Sequence, residues 1–232
     1  MHDPDSLMPD AGKRNMGQIA YGAAQYIKIG QPALERTARS TDTLHMPAEH
    51  YLTNQFLIAM PAMADGNFSQ TVTLVCEHTA QGALGIVINR PMQMRLADVF
   101  EQLHLSTQDQ PLREQLILQG GPVQPDRGFV IHRAGQPWES TLAVSEHIHV
   151  TTSRDILTAL AEGRGPEPLS MALGYAGWEA GQLEAEMAQN AWLNVPFNER
   201  ILFDTPFEQR WQAAAQLLGI NLNTLSSQAG HA

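Results

Sequence analysis

Apolar positions come in short blocks separated by polar turns from residue 51 onward. Gln55–Met60 (QFLIAM) is one such block, ended by Pro61, and predicts a strand. Thr71–His78 (TVTLVCEH) is β-branched and alternating, the pattern of a strand with one buried face. Ala83–Asn89 (ALGIVIN) follows across the turn sequence TAQG, so the two blocks predict a hairpin. Leu96–Leu105 places Leu96, Val99, Phe100 and Leu103 on one helical face. Leu116–Leu118 runs into Gly120-Gly121-Pro122, read as a sharp turn. Gly128–His132 and Leu142–Val150 are further strand candidates, and Ser153 is placed as the N-cap of a helix over Arg154–Ala161. Leu169–Tyr175 reads as a buried strand, Gln182–Ala191 as a helix and Asn194–Phe203 as an extended or irregular stretch. Pro206–Leu218 predicts the last helix, with Pro in its first turn and Gly219 as its stop. The strands cluster instead of alternating strictly with helices, so the expectation is α+β: a single domain built on a large mixed β-sheet with flanking helices. No internal repeat and no second core are visible.

The segment before residue 48 differs. Residues 1–47 are rich in Pro, Gly, Asp, Thr and Ala, and Gly17, Gly22 and Gly30 weaken the one apolar stretch, Gln18–Ile29. We read residues 1–47 as a largely flexible extension, 48–220 as the folded domain and 221–232 as a polar tail. The extension is either an arm that docks on a partner chain or a segment upstream of a translation start at Met46.

Composition narrows the function. The chain has 232 residues, 43% apolar and only 16% charged, which predicts a packed core. Its formal net charge is −10, and residues 51–232 hold nine arginines, no lysine and eighteen carboxylates, a balance of −9. That balance opposes non-specific binding to nucleic acid or anionic lipid. Without lysine the domain has no Schiff-base chemistry and no P-loop. Cys76 is the single cysteine, so an internal disulfide and multi-cysteine metal or iron–sulfur sites are excluded. No apolar run of about 18 residues is present, and the acidic start MHDPDSLMPD is unlike a signal peptide, so a cytoplasmic protein is expected.

Several groups are candidates for chemistry. Cys76 and His78 lie two apart on a predicted strand, hence on one face, where they would form a nucleophile pair or simply pack. His147 and His149 repeat that spacing, and with His132 they offer three nitrogens to a metal or stand as surface histidines. Asn89-Arg90-Pro91 ends a strand, where Arg90 contacts an anion or pairs with a nearby carboxylate. Gly120-Gly121-Pro122-Val123 lacks the helix start a phosphate loop needs and reads as a structural turn. Gly174-Tyr175-Ala176-Gly177-Trp178 lies between a strand and a helix carrying Glu184 and Glu186, either as a ligand loop or as glycine-permitted packing around a core tryptophan. Trp192 and Trp211 read as core or interface anchors. No GxGxxG, HExxH, CxxC, EF-hand or catalytic-triad motif occurs, and no cofactor or metal is implied.

Taken in order, NQFLIAMP at 54–61, LVCEH at 74–78, GIVINRP at 85–91, GGPV at 120–123, and ALGYAGW at 172–178 with Trp192-Leu193 resemble the AlgH/YqgE family of bacterial proteins, over roughly residues 51–220. The resemblance implies a single cytoplasmic α+β domain with a large mixed sheet and no established biochemical activity. A transcriptional-regulator label is attached to some members, and neither a helix-turn-helix nor a basic patch supports it in this chain. The motif positions matched are Asn54, Asn89, Arg90, Pro91, Gly120, Gly121, Pro122, Gly174, Tyr175, Gly177 and Trp178. The resulting expectation is a non-enzymatic regulatory or scaffold protein that binds a protein partner or small metabolite, through Asn89, Arg90, Tyr175, Gly177 and Trp178. The alternatives are an enzyme whose cleft combines Arg90, a histidine and a carboxylate such as Glu184 near the Tyr175–Trp178 loop, and a regulator of transcription acting indirectly. Direct nucleic-acid binding would require the nine arginines to gather on one face.

Overall fold

The computed structural model describes residues 51–222; the extension over residues 1–47 and nearly all of the polar tail lie outside the described residues. The strands are β1 (Gln55–Ala59), β2 (Val72–Thr79), β3 (Gly82–Val87), β4 (Pro91–Arg95), β5 (Leu116–Gln119), β6 (Val123–Arg133), β7 (Thr141–Ala143), β8 (Ile148–Thr151), β9 (Leu169–Glu179) and β10 (Trp192–Pro196). The helices are α1 (Leu96–Gln102), α2 (Gln110–Arg113), α3 (Arg154–Ala161), α4 (Gln182–Ala188), α5 (Glu199–Phe203) and α6 (Arg210–Gln216), the last preceded by a 3-10 turn over Phe207–Gln209. All ten strands join one curled sheet in the order β10-β1-β2-β3-β9-β6-β8-β7, with β5 on β9 and β4 on β5. Only β5–β9 is a parallel pair; the other pairings are antiparallel, so the sheet is mixed and the class is α+β.

The curl gives the sheet an inner and an outer face. Phe56, Leu74, Ile86, Phe129, Ala172 and Tyr175 face inward, where α5 and α6 cover them with Ile201, Leu202, Ala214 and Ala215. On the outer face, α1, α2 and α3 bury Val99, Phe100, Leu112, Ile156 and Leu157 against Val130, Met171 and Leu173. Helix α4 inserts Leu183 against Leu57, Val75, Trp178 and Trp192 on the other half of the same face.

Strand β9 is the spine. Its first half pairs with β5 and β6 and its last residues pair with β3. It is also longer than the sequence pattern predicts, because the side-chain phase slips within it. Leu169, Met171 and Leu173 face outward, then Ala176 and Trp178 do, while Ala172 and Tyr175 both face inward. The slip falls at Gly174, at φ +73°, a left-handed conformation that breaks the two-residue alternation of a strand. GYAGW is therefore strand, not the loop expected between strand and helix.

Other expectations are corrected in the same way. Leu142–Val150 is a hairpin of β7 and β8, with Ser145 Oγ accepting the amides of His147 and Ile148 at 3.2 Å each in the turn. The short helices α2 and α5 rest on caps: Asp109 accepts from Leu112 N at 3.0 Å and Asn198 from Ile201 N at 3.2 Å. The stretch Asn194–Phe203 resolves into the end of β10 followed by α5. Strand β4 begins at Pro91, whose missing N–H suits a strand start. Ser153 does hold the N-cap position of α3, but its hydroxyl donates to Asp155 Oδ1 at 2.6 Å instead of capping a helix amide.

Candidate functional site

The glycine and proline motifs meet at one place and leave no room for a ligand there. A Cβ on Gly121 would lie 2.2 Å from the Tyr175 carbonyl carbon, and one on Gly174 would lie 2.4 Å from the Gly121 oxygen. GGPV and ALGYAGW are thus two backbones crossing at a separation that only hydrogen in place of a side chain permits. The crossing produces the phase slip in β9.

The Asn89-Arg90-Pro91 turn is equally committed. Asn89 Oδ1 accepts from Val72 N at 2.9 Å, and its Nδ2 donates to Gln70 O at 2.8 Å. Arg90 donates through Nη1 to Gly66 O and through Nη2 to Ser69 O, both at 2.9 Å. The guanidinium holds the 65–71 loop by its carbonyls, and no carboxylate among the described residues pairs with it. Just before this turn, buried Arg210 donates to Ile88 O through Nη1 and to Thr205 O through Nε, the latter at 2.9 Å.

Cys76 and His78 do not share a face. The β2–β3 register shifts between Val75 and Glu77, so Cys76 is the extra residue of a bulge. Its thiol packs inward with Phe56 and Leu74. Burial pushes the thiol's pKa well above the ordinary range, and the nearby Glu77 charge adds to that, so no thiolate nucleophile forms. His78 faces α4: its Nδ1 accepts from Leu52 N at 3.0 Å, which leaves the proton on Nε2 to donate to Glu184 Oε1 at 3.0 Å.

His132, His147 and His149 do not converge on a metal site either. His132 is fully buried between Arg133 O at 2.8 Å from Nδ1 and Thr151 Oγ1 at 2.9 Å from Nε2. Burial holds its pKa below the ordinary value, opposed by the Arg133 carbonyl and aided by His149. The His149 ring stands edge-on to it at 5.9 Å, and His147 is exposed. Among the described residues no three His, Cys, Asp or Glu side chains are grouped to hold a metal.

Trp178 is an outer-face anchor. Its indole donates to Glu186 Oε2 at 2.9 Å, the same oxygen takes the Trp192 indole at 2.8 Å, and Phe68 packs on both rings. Trp211 likewise donates to Ala59 O at 2.9 Å.

One cavity of about 610 Å³ opens where the inner face runs past the inner core. Of the sequence-expected site residues, Tyr175, Gly177 and Trp178 line it, whereas Asn89 and Arg90 do not. The two phase slips build it. After the bulge at Cys76, Glu77 and Thr79 turn inward; after Gly174, Tyr175, Gly177 and Glu179 do. Leu84, Val123, Phe129, Leu142, Val150 and Tyr175 supply an apolar floor, and Arg127, Thr141 and Thr152 close the far wall. Burial pushes the Glu77 carboxyl pKa up. Sequence reasoning missed Glu77 and Arg127: the first lies inside a strand whose bulge has no signature, the second in QPDRG, which reads as a turn.

The AlgH-like family (DUF179) matches residues 56–223. A UPF0301 protein of Pseudomonas fluorescens (strain SBW25) is 58% identical over 184 residues, covering 78% of this chain and 96% of its own length. A UPF0301 protein of Nitrosococcus oceani is 50% identical over 182 residues, with 78% and 97% covered. The solution structure of the AlgH protein from Pseudomonas aeruginosa superposes with a TM-score of 0.66 at 53% identity, over 81% of this chain and 99% of that one. The crystal structure of protein DIP2367 from Corynebacterium diphtheriae shares the fold, with a TM-score of 0.60 at 17% identity over 75% and 90% of the two chains. With the family match spanning nearly the whole folded body and relatives at 50–58% identity covered almost end to end, the chain belongs to the AlgH-like family.

Proposed function

We propose that this is a non-enzymatic, cytoplasmic regulatory or scaffold protein that takes up a small metabolite in the cleft at the open end of the inner sheet face. The observation that carries this is the separation of the cleft from the cysteine and from the two buried histidines: Cys76 is sealed inward, His78 is held by α4, and His132 is bonded on both nitrogens. What the cleft offers instead is about 610 Å³ with an apolar floor and a few convergent polar side chains, the composition of a binding site. A role in transcription then runs through the bound ligand or a protein partner. In support, Arg95, Arg133 and Arg164 pair with Glu114, Glu199 and Glu162, while Arg90 and Arg210 serve backbone carbonyls. No helix among the described residues is long and apolar enough to cross a membrane.

The test is retention. The full chain is incubated with a bacterial metabolite extract, freed of unbound solute by gel filtration, denatured, and its released small molecules identified by mass spectrometry. One compound enriched by the protein, chemically unchanged and lost in Leu142→Trp, which fills the cleft from its floor, is the expected result. A compound consumed with time would overturn the non-enzymatic reading, and no enriched compound would overturn the binding reading.

A further inference from the structure

The cleft is charged on two opposite sides and apolar between them. Glu77 and Glu179 stand on the side built by β2, β3 and the end of β9, and Arg127 stands on the side built by β6 and the β7–β8 hairpin. Arg127 reaches only Gln124 Oε1 at 3.3 Å and Thr152 Oγ1 at 3.5 Å, with its guanidinium 5.4 Å from the Phe129 ring centre. No carboxylate pairs with it among the described residues, and neither does a cation pair with Glu77 or Glu179.

That arrangement selects by charge pattern. A plain anion meets Arg127 but is opposed by the two carboxylates. A plain cation leaves the guanidinium without a partner. A neutral apolar molecule covers both charged walls and dehydrates them with nothing in return, which costs free energy. A molecule carrying both charges satisfies both walls. Between β2 and β6 lie three strand spacings, about 14 Å at the backbone, and the charged side chains lean inward from each side. Two or three extended residues span roughly 7–11 Å, less than that backbone separation, so a peptide of this length is short enough to lie between the two walls.

Resting on the cleft-binding reading above, we propose that the ligand is a zwitterion with an apolar body, of the chemistry and size of a di- or tripeptide. Its ammonium group lies toward Glu77 and Glu179, its carboxylate toward Arg127 and the Thr152 hydroxyl, and its apolar side chains on Leu84, Phe129 and Leu142.

Isothermal titration of the full chain with Leu-Leu and Leu-Leu-Leu, each also N-acetylated, C-amidated or blocked at both ends, tests this. The free zwitterions should bind, and blocking either end should weaken binding by at least about tenfold, the worth of a charge-assisted hydrogen bond. Arg127→Gln should erase the preference for acid over amide and keep that for free over acetylated amine. The double variant Glu77→Gln/Glu179→Gln should do the reverse. All three side chains are at least partly exposed, and melting curves verify that the variants fold. Equal binding of the blocked peptides, or binding of none, overturns the zwitterion proposal. If the metabolite capture nevertheless yields a compound lost in Leu142→Trp, the cleft-binding reading stands without it; if neither experiment gives binding, both fall.

Discussion

The two ends of the inner sheet face each carry an arginine lying over a phenylalanine, and they use it in opposite ways. At the closed end Arg210 is 4% exposed, with its guanidinium 4.4 Å from the Phe207 ring centre and hydrogen bonds to the Ile88 and Thr205 carbonyls. At the open end Arg127 is half-buried, 5.4 Å from the Phe129 ring centre, with two long contacts at 3.3 and 3.5 Å. Burial lowers the Arg210 pKa to about 10, the nearby Glu208 opposing the fall, so the group stays charged at neutral pH. The same side chain is thus a clamp where short backbone contacts consume its donors and a ready ligand contact where they do not. What separates the two cases is where α5 and α6 cover the sheet, since the strands beneath are continuous.

The comparison collapses if the sheet's phase is lost, and this is the largest effect expected. Gly121→Ala puts a methyl 2.2 Å from backbone that cannot rotate away, at a φ of +153°. We expect a loss above about 4 kcal/mol, in the range where folding fails. Soluble yield and urea melting of Gly121→Ala read this, against Gly135→Ala, which meets nothing within 4 Å and should be near neutral. A stable, cooperative Gly121→Ala would mean that the two motifs do not need to cross so closely.

Next in size is the contrast between the arginines themselves. Arg210→Met keeps the apolar stem but strands two carbonyl acceptors, one of them buried with Ile88. The expected cost is about 3 kcal/mol, a fall in Tm on the order of 10 °C for a domain of this size. Arg127→Gln should stay within about 0.5 kcal/mol of the parent, as surface changes do. Equal losses in the two melts would show that Arg127 is also a structural clamp.

The fold was legible in the sequence where alternation holds, and the site was not because alternation fails there. β1, the β2–β3 hairpin, α3 and the first half of β9 follow from patterning alone. Cys76 and Gly174 each shift a strand by one residue, and a one-residue shift sends every later side chain to the opposite face. That is why Cys76 and His78 read as neighbours and are not, why GYAGW reads as a loop and is strand, and why Glu77 was invisible as a cleft residue. Asn89, Arg90 and Trp178 stand out in the sequence as candidate ligand contacts, and in the structure they hold the 65–71 loop and anchor α4 through Glu186. Local residue type marks such positions; what they touch depends on long-range pairing that no local pattern encodes.

The smallest effect sharpens the open end. Glu77 has its carboxyl pKa raised by burial, so the folded state holds that proton more tightly than the unfolded chain does. A raised carboxyl favours folding below the unfolded value, about 4.3, and that contribution disappears as pH climbs through the folded value. Above it, the ionised group is held where water solvates it poorly. Glu77→Gln removes the ionisation and keeps the shape, so the variant should melt slightly higher than the parent at neutral pH. The gap should narrow as pH falls through the raised folded value and close below about 4.3, the ordinary glutamate value, where the side chain becomes neutral in both states. Parallel melts from pH 4 upward test the sign. A variant less stable at neutral pH would mean that the carboxylate is already satisfied in the free protein, and an acid wall with its charge already met would no longer distinguish the open end from the closed one.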